Sequence, residues 1–380
     1  MLRVLHTADV HLGARHEDLG EAAVALRERQ HAALRAAVDL ALAERVDVVL
    51  VAGDLFDANT ASRRTVERAA AELARLAGAR IRVVLLPGDH DAYTRSSVYR
   101  AYDVPALAGP EMVTVLTPDA PAVHLDSLDA VVIGPAGPSL PGSGTFAGVE
   151  GLALPTTTWR IGLLHASVGN AEGQVAEAAL KASGLDFAAL GHDHAASTGR
   201  AGATTWAVPG SPEQVVVDRD GPGTVNLVTL DDKGGTKHVA VETRLVGASW
   251  HREIEVDTAS IESQAVLVDR LRASADPELV LDVRLVGDRA DDLDLDPAAL
   301  EEALRGACLH VRVEDRSRPP LTSGALPPPE TIAGAFIRNL EGRIAELEAS
   351  GQADAESEAA ELREVLRIGR RLLAGAEVAS

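Results

Sequence analysis

Cysteine is all but missing: Cys308 is the single one in 380 residues. One thiol cannot build an intrachain disulfide framework, and it excludes a Cys-rich zinc site. Lysine is almost as scarce, with Lys181, Lys233 and Lys237 alone, so arginine carries the positive charge. With abundant Ala, Gly and Val and few Asn, this bias reflects GC-rich coding rather than mechanism. Long apolar runs are also lacking. Val46–Ala52 and Arg82–Pro87 are strand-sized, far from the ~18–20 residues of a membrane span. The first residues enter a strand-like run at once (Leu2–His6), with no basic segment ahead of a long apolar one. That start predicts no signal peptide and a cytoplasmic chain. Basic residues number 36 against 57 acidic ones, a net charge of -21. Such a balance argues against a general nucleic-acid coat. It leaves a nuclease open, because acidic metal ligands recruit cations that reverse the local sign.

What is present is ordered. Hydrophobic residues make up 46% of the chain and charged ones 24%, enough for a core and unlike a disordered chain. Over the first ~200 residues, short apolar runs alternate with amphipathic stretches, the pattern of an α/β layer structure. Strands are expected at Arg3–Thr7, Val46–Ala52 and Ile81–Leu86, and helices at Glu21–Arg45 and Ser62–Ala77. From about Val113 strands dominate, ending in the pair Thr224–Leu230 and Val239–Thr243, which implies a second sheet on the first. Near Trp250 the pattern becomes a small α+β module. A run with five prolines, Arg316–Pro329, reads as a linker, and Thr331–Glu348 with Ala355–Gly375 as a helical hairpin. The expected division is therefore 1–247, 248–318, the linker 319–330 and the hairpin 331–380.

Five polar clusters follow strand-like runs: Asp9-Val10-His11, Gly53-Asp54, Gly88-Asp89-His90-Asp91, His165, and Gly191-His192-Asp193-His194. Side chains at the carboxyl ends of neighbouring strands converge on one crevice. Carboxylates and imidazoles without sulfur suit Mn, Fe or Zn. Residues at i and i+2 of an extended loop can reach one cation or two adjacent ones, and a carboxylate such as Asp54 can bridge a pair.

In order and spacing these clusters resemble the calcineurin-like metallophosphoesterase superfamily. The flanking runs Leu5–Gly13 and Ala52–Asp57 are similar to SbcD-type DNA repair exonucleases, the YhaO-like branch among them. The resemblance implies a two-sheet α/β sandwich flanked by helices, a capping α+β module and a C-terminal hairpin. It implies two divalent ions, Mn foremost. Asp9, His11 and His194 would hold the first, Asp54 would bridge, and Asp89, His165 and His192 would hold the second. His90 would act as general acid, its ring oriented by Asp91. DNA is the implied substrate, an SbcC-type coiled-coil ATPase the implied partner, and a homodimer the implied assembly, with no membrane. Family members usually carry Asn where this chain has Asp89, so the site gains one negative charge.

A lone Asp-x-His or His-x-His is ordinarily a solvated loop; five in family order are what raise the reading. Asp57 reads as a residue that shapes its loop, and Asp193 as solvent-facing. His6, His16, His31, His124, His238, His251 and His310 default to surface or satisfied core. Arg63, Arg64, Arg95 and Arg100 read either as surface helix charges or as phosphate contacts. The hairpin stripe, with Phe336, Leu340 and Ile344 in it, either docks on the ATPase or packs on its own chain. Two other functions stand beside the DNA phosphodiesterase. One is a phosphoesterase on a small nucleotide or lipid-linked phosphate, and the other an inactive scaffold.

Overall fold

The structure, a computed structural model, describes residues 1–20, 22–134, 156–169, 174–213, 221–290, 293–318, 327–328, 330–350 and 355–373. Most of the expected linker 319–330 lies outside the described residues. The chain divides into two compact units.

The first unit comprises Met1–Arg252, Asp276–Leu281 and Gly306–His310. It opens with β1 (Leu2–Thr7), α1 (Ala22–Glu44), β2 (Val48–Ala52), α2 (Arg63–Gly78), β3 (Arg82–Leu86), α3 (Val98–Ala101), α4 (Val104–Ala108) and β4 (Val113–Val115). It continues through β5 (Ala122–Leu125), β6 (Ala130–Ile133), β7 (Trp159–His165), α5 (Glu177–Ala182), β8 (Phe187–Gly191), β9 (Ser197–Ala201), β10 (Thr204–Val208), β11 (Gly221–Lys233) and β12 (Thr236–Asp257). One sheet runs β12-β11-β1-β2-β3-β4 and the other β5-β6-β7-β8-β10-β9. Strands β1 to β4 pair in parallel, as do β6, β7 and β8.

All five residues of β2 are buried, which needs cover on both faces. Alternation divides them. Val48, Leu50 and Ala52 join Val4, Val84 and Leu86 against Val132, Ile161, Leu163 and Phe187 of the second sheet. Val49 and Val51 face outward with Val83 and Leu85 onto Leu34 and Val38 of α1 and Leu73 and Leu76 of α2. Full burial of each such side chain contributes about 1.5–3 kcal/mol. Helix α2 starts at Ser62, whose Oγ accepts from Thr65 N at 3.2 Å. The result is an α/β sandwich of two mixed sheets with flanking helices, as the alternation implied.

The second unit comprises Glu253–Ala275, Asp282–Arg305 and Val311–Ser380. Here the end of β12, then β13 (Leu279–Val286) and β14 (His310–Asp315) are neighbours in that order. They accompany α6 (Gln264–Arg272) and α7 (Pro297–Leu304). Helix α7 begins as its sequence suggests: Asp296 caps Ala298 N at 3.0 Å, and proline follows at the first helical position.

Helices α8 (Ile332–Ser350) and α9 (Ala355–Leu373) form the hairpin. Ile337, Ile344, Leu347, Ala355, Ala359 and Leu366 make its core, with Leu340 and Leu362 packed against it. Part of the stripe follows the second of its two readings, packing within the chain. Ile344 is buried and Leu340 half-buried between the two helices, because a two-helix element spends its first apolar stripe on itself. Ile332, Phe336, Val365 and Ile368 are the large apolar residues that the described hairpin exposes. The side chains of Leu372 and Leu373, also in that stripe, lie outside the described residues.

Candidate metal centre

The parallel strands β1, β2 and β3 of one sheet and β7 and β8 of the other deliver the five polar clusters at their carboxyl ends. Beyond β1 and β2 the chain stays paired: Asp9 N donates to Gly53 O at 3.1 Å, and His11 N to Asp54 O at 3.0 Å. Close approach of the sheets explains two glycines. A Cβ on Gly53 would lie 2.1 Å from His165 Nδ1, and one on Gly191 would lie 2.0 Å from Ala52 O. Eight described non-glycine residues have positive φ, and Asp9 (52°), His11 (48°), Asp54 (51°) and His192 (89°) are four of them. Such backbone costs on the order of 1–3 kcal/mol per residue and gathers where side chains must be aimed.

The side chains converge. Asp9, His11 and His194 bring one donor atom each within 4.8 Å of one another, and Asp89, His165 and His192 do the same. Asp54 lies between, grouped with Asp9 and His165 on one side and with Asp89 and His90 on the other. His165 Nδ1 donates to Ala52 O at 2.8 Å, which turns Nε2 inward, 3.2 Å from Asp54 Oδ2 and 2.8 Å from Asp89 Oδ1. His192 N donates to both Asp9 oxygens at 3.1 and 3.0 Å, and His90 N to Asp54 Oδ1 at 3.0 Å.

Charge here is unbalanced in a telling way. Burial pushes the Asp9 carboxyl up to about 7, opposed by His165 and reinforced by Asp54. Burial pulls the His165 imidazole down, but Asp54 and Asp89 outweigh it and hold its pKa well above the usual value. The same contest, with burial against Asp57 and Asp54, leaves His11 raised. Asp89, against His165 and His192, is held far below the usual carboxylate range. His11 carries two buried ring nitrogens without a hydrogen-bond partner. Buried carboxylates and imidazole nitrogens that converge with no arginine or lysine of the described residues among them fit cations. A bound cation replaces the protons that these groups otherwise share, and its binding is coupled to their release. The nitrogen and oxygen donors, without sulfur, suit Mn, Fe or Zn.

Asp91 behaves differently from the expectation that it orients His90. It is fully buried; its Oδ1 accepts from Gly88 N at 2.7 Å, and its Oδ2 from Phe56 N at 3.1 Å and Tyr99 Oη at 2.7 Å. Burial, then Asp54, pushes it up to about 6. It therefore ties the Asp54 loop to the Asp89 loop. The His90 ring is held by another group, its Nδ1 lying 2.9 Å from Asp57 O. Asp57 also sets its Oδ1 3.4 Å from His11 Nδ1, a contact for which the spacing Asp54-x-x-Asp57 is the only trace in the sequence. Nothing in the sequence pattern marked Tyr99, eight residues beyond Asp91. Asp193, expected in solvent, accepts from Ser167 Oγ at 2.5 Å.

Arg63, Arg64, Arg95 and Arg100 are exposed. Arg63 lies over the Tyr102 ring at 5.6 Å and 3.4 Å from Glu67, and Arg100 over Tyr93 at 4.6 Å.

The profile of the calcineurin-like phosphoesterase family matches residues 2–196. The DNA double-strand break repair protein Mre11 of Saccharolobus solfataricus is 31% identical over 124 residues, covering 32% of this chain and 31% of that protein. Mre11 of Aeropyrum pernix is 42% identical over 91 residues, 24% of this chain and 21% of that one. The SbcD component of the SbcCD nuclease of Rhodobacter capsulatus is 39% identical over 98 residues, 25% of this chain and 22% of that one. The alignments thus span less than a third of the length of these curated relatives.

Proposed function

Because this chain belongs to the calcineurin-like phosphoesterase family, we propose that it is a two-metal phosphodiesterase that hydrolyses DNA. The observation that carries the reading is the pair of donor triads, Asp9/His11/His194 and Asp89/His165/His192, set on either side of Asp54. Of the Mn, Fe or Zn that these donors suit, Mn is the one that the family resemblance favours. Bound there, two such ions supply Lewis acidity toward a phosphodiester and activate a water for in-line attack.

The chain's own residues do the rest. Ala52 O and the backbone of His192 and His90 hold His165, Asp9 and Asp54 in place before substrate arrives. Asp57 O takes the His90 Nδ1 hydrogen bond, so that a ring carrying both protons can give the Nε2 one to the leaving oxygen and remain a neutral Nδ1–H imidazole. The exposed Arg63, Arg64, Arg95 and Arg100 supply phosphate contacts around a chain that is otherwise acidic.

The names of the relatives extend the proposal to DNA repair. One of them is a component of an SbcCD nuclease. We place this chain accordingly as the nuclease component beside an SbcC-type coiled-coil ATPase in the cytoplasm, working as a homodimer, with the exposed hairpin residues as the ATPase contact. The test is hydrolysis of bis(p-nitrophenyl) phosphate and of duplex and single-stranded DNA by the purified chain. Mn-dependent cleavage of both is expected. Cleavage of the small diester without DNA would redirect the substrate to a small nucleotide, and cleavage of neither would refute the reading.

A further inference from the structure

Four carboxylates surround the candidate metal centre, one more than its two triads and bridge require. Asp9 and Asp54 are buried, Asp89 Oδ1 is 2.8 Å from His165 Nε2, and Asp57 Oδ1 is 3.4 Å from His11 Nδ1. Among the described residues no arginine or lysine pairs with any of the four; their charged neighbours are histidines. Neutral imidazoles are what a cation requires. Four carboxylates then cancel two divalent cations, and the loaded pocket is close to neutral. With a neutral side chain at position 89 or 57, it would keep one net positive charge.

That difference matters to phosphate esters. A phosphodiester carries one negative charge, whereas a phosphomonoester or inorganic phosphate carries two at mildly alkaline pH. We infer that Asp89 and Asp57 are specificity-determining residues, whose charges make the centre accept the monoanionic diester and reject the dianionic monoester. The inference rests on the phosphodiesterase reading and sharpens it. Cutting a nucleic-acid strand leaves a dianionic terminal phosphate, and a near-neutral pocket releases it. Asp89 and Asp57 are only part-covered, at 46% and 29% side-chain exposure. Solvent therefore trims the Coulomb effect of each, to roughly tenfold in affinity for the second phosphate charge.

Binding tests this apart from turnover. The full chain, Asp89→Asn and Asp57→Asn are loaded with Mn, and the bound metal is measured by atomic emission. Each is then titrated calorimetrically at mildly alkaline pH with inorganic phosphate, a dianion, and with dimethyl phosphate, a monoanion. Each variant is expected to bind phosphate about tenfold more tightly, with a much smaller change for dimethyl phosphate. Hydrolysis of p-nitrophenyl phosphate should rise relative to bis(p-nitrophenyl) phosphate. Unchanged or weaker phosphate binding by fully loaded variants overturns the inference. Should Asp89→Asn lose metal, Asp57→Asn decides alone, since Asp57 is outside the proposed ligand set. If none of the proteins cleaves either ester, the phosphodiesterase reading fails, and phosphate binding still decides whether these two charges act as inferred.

Discussion

Asp91 offers a sharp test, because the structure gives it a different task from the one its place beside His90 suggested. Its buried carboxylate accepts from Gly88 N, Phe56 N and Tyr99 Oη. Tyr99→Phe removes one of three hydrogen bonds to a charged group and keeps the ring, so it should cost about 1.5–3 kcal/mol. Asp91→Ala leaves three buried donors without an acceptor, at ~1–3 kcal/mol each, and should cost roughly 3–9 kcal/mol. Both changes loosen the joint between the Asp54 and Asp89 loops, so Mn affinity should fall along with stability. Trp159, Trp206 and Trp250 all lie in the first unit, so their fluorescence in urea reports its unfolding. A parallel Mn titration reads the site. If Asp91 instead served His90, Tyr99→Phe would leave stability and Mn affinity alone and lower only turnover. Asp91→Ala unfolding within about 0.5 kcal/mol of wild type, with unchanged Mn affinity, would refute the tether.

Three other outcomes are expected. His90→Asn should lose on the order of 10²–10⁴ in diester turnover while still binding two cations, as metal analysis would register; wild-type turnover removes His90 from the chemistry. Burial lowers the His6 pKa to about 3, against the opposing effect of its Leu190 O hydrogen bond. Folded His6 thus stays neutral while the unfolded chain takes up a proton below about 6.5, so stability present above that pH is lost as pH falls. At pH 5 the loss is about 2 kcal/mol, and His6→Gln should flatten the melting profile between pH 7 and 5; an equally steep profile contradicts the assignment. In the hairpin, Ile332→Asp with Phe336→Asp should leave helicity intact and abolish capture of an SbcC-type ATPase, whereas Ile344→Asp should lower helicity. Full capture by the double variant moves the docking surface elsewhere.

How far the sequence carried depended on what each residue faces. Strand β2 was legible because cover on both sides makes it apolar throughout. Strand β9, Ser197–Ala201, escaped notice, since an edge strand with mostly exposed residues has no apolar alternation to read. Strand β12 was hard to bound, because its pairing with β11 is irregular across Gly247-Ala248-Ser249: the register shifts between Leu245–Thr224 and Trp250–Pro222 before pairing resumes. The metal-ligand candidates stood out because parallel strands place their carboxyl ends together, so five short clusters carry one message. The work of Asp91 did not, because a carboxylate that accepts from backbone amides and a tyrosine hydroxyl has no spacing signature. The hairpin stripe gave its periodicity but not its partner: the same spacing serves a neighbouring helix and a foreign groove, and here Leu340 and Ile344 went to the neighbour.

The central claim is a two-cation centre built by Asp54 between two triads. The most direct measurement is metal stoichiometry of the chelator-stripped protein under equilibrium dialysis against Mn, for wild type and for Asp54→Ala, with diester hydrolysis followed on the same samples. Two Mn per chain in the wild type, activity that rises with occupancy, and loss of both in Asp54→Ala are the results this account predicts. Full hydrolysis by protein that binds no Mn in excess chelator would contradict it.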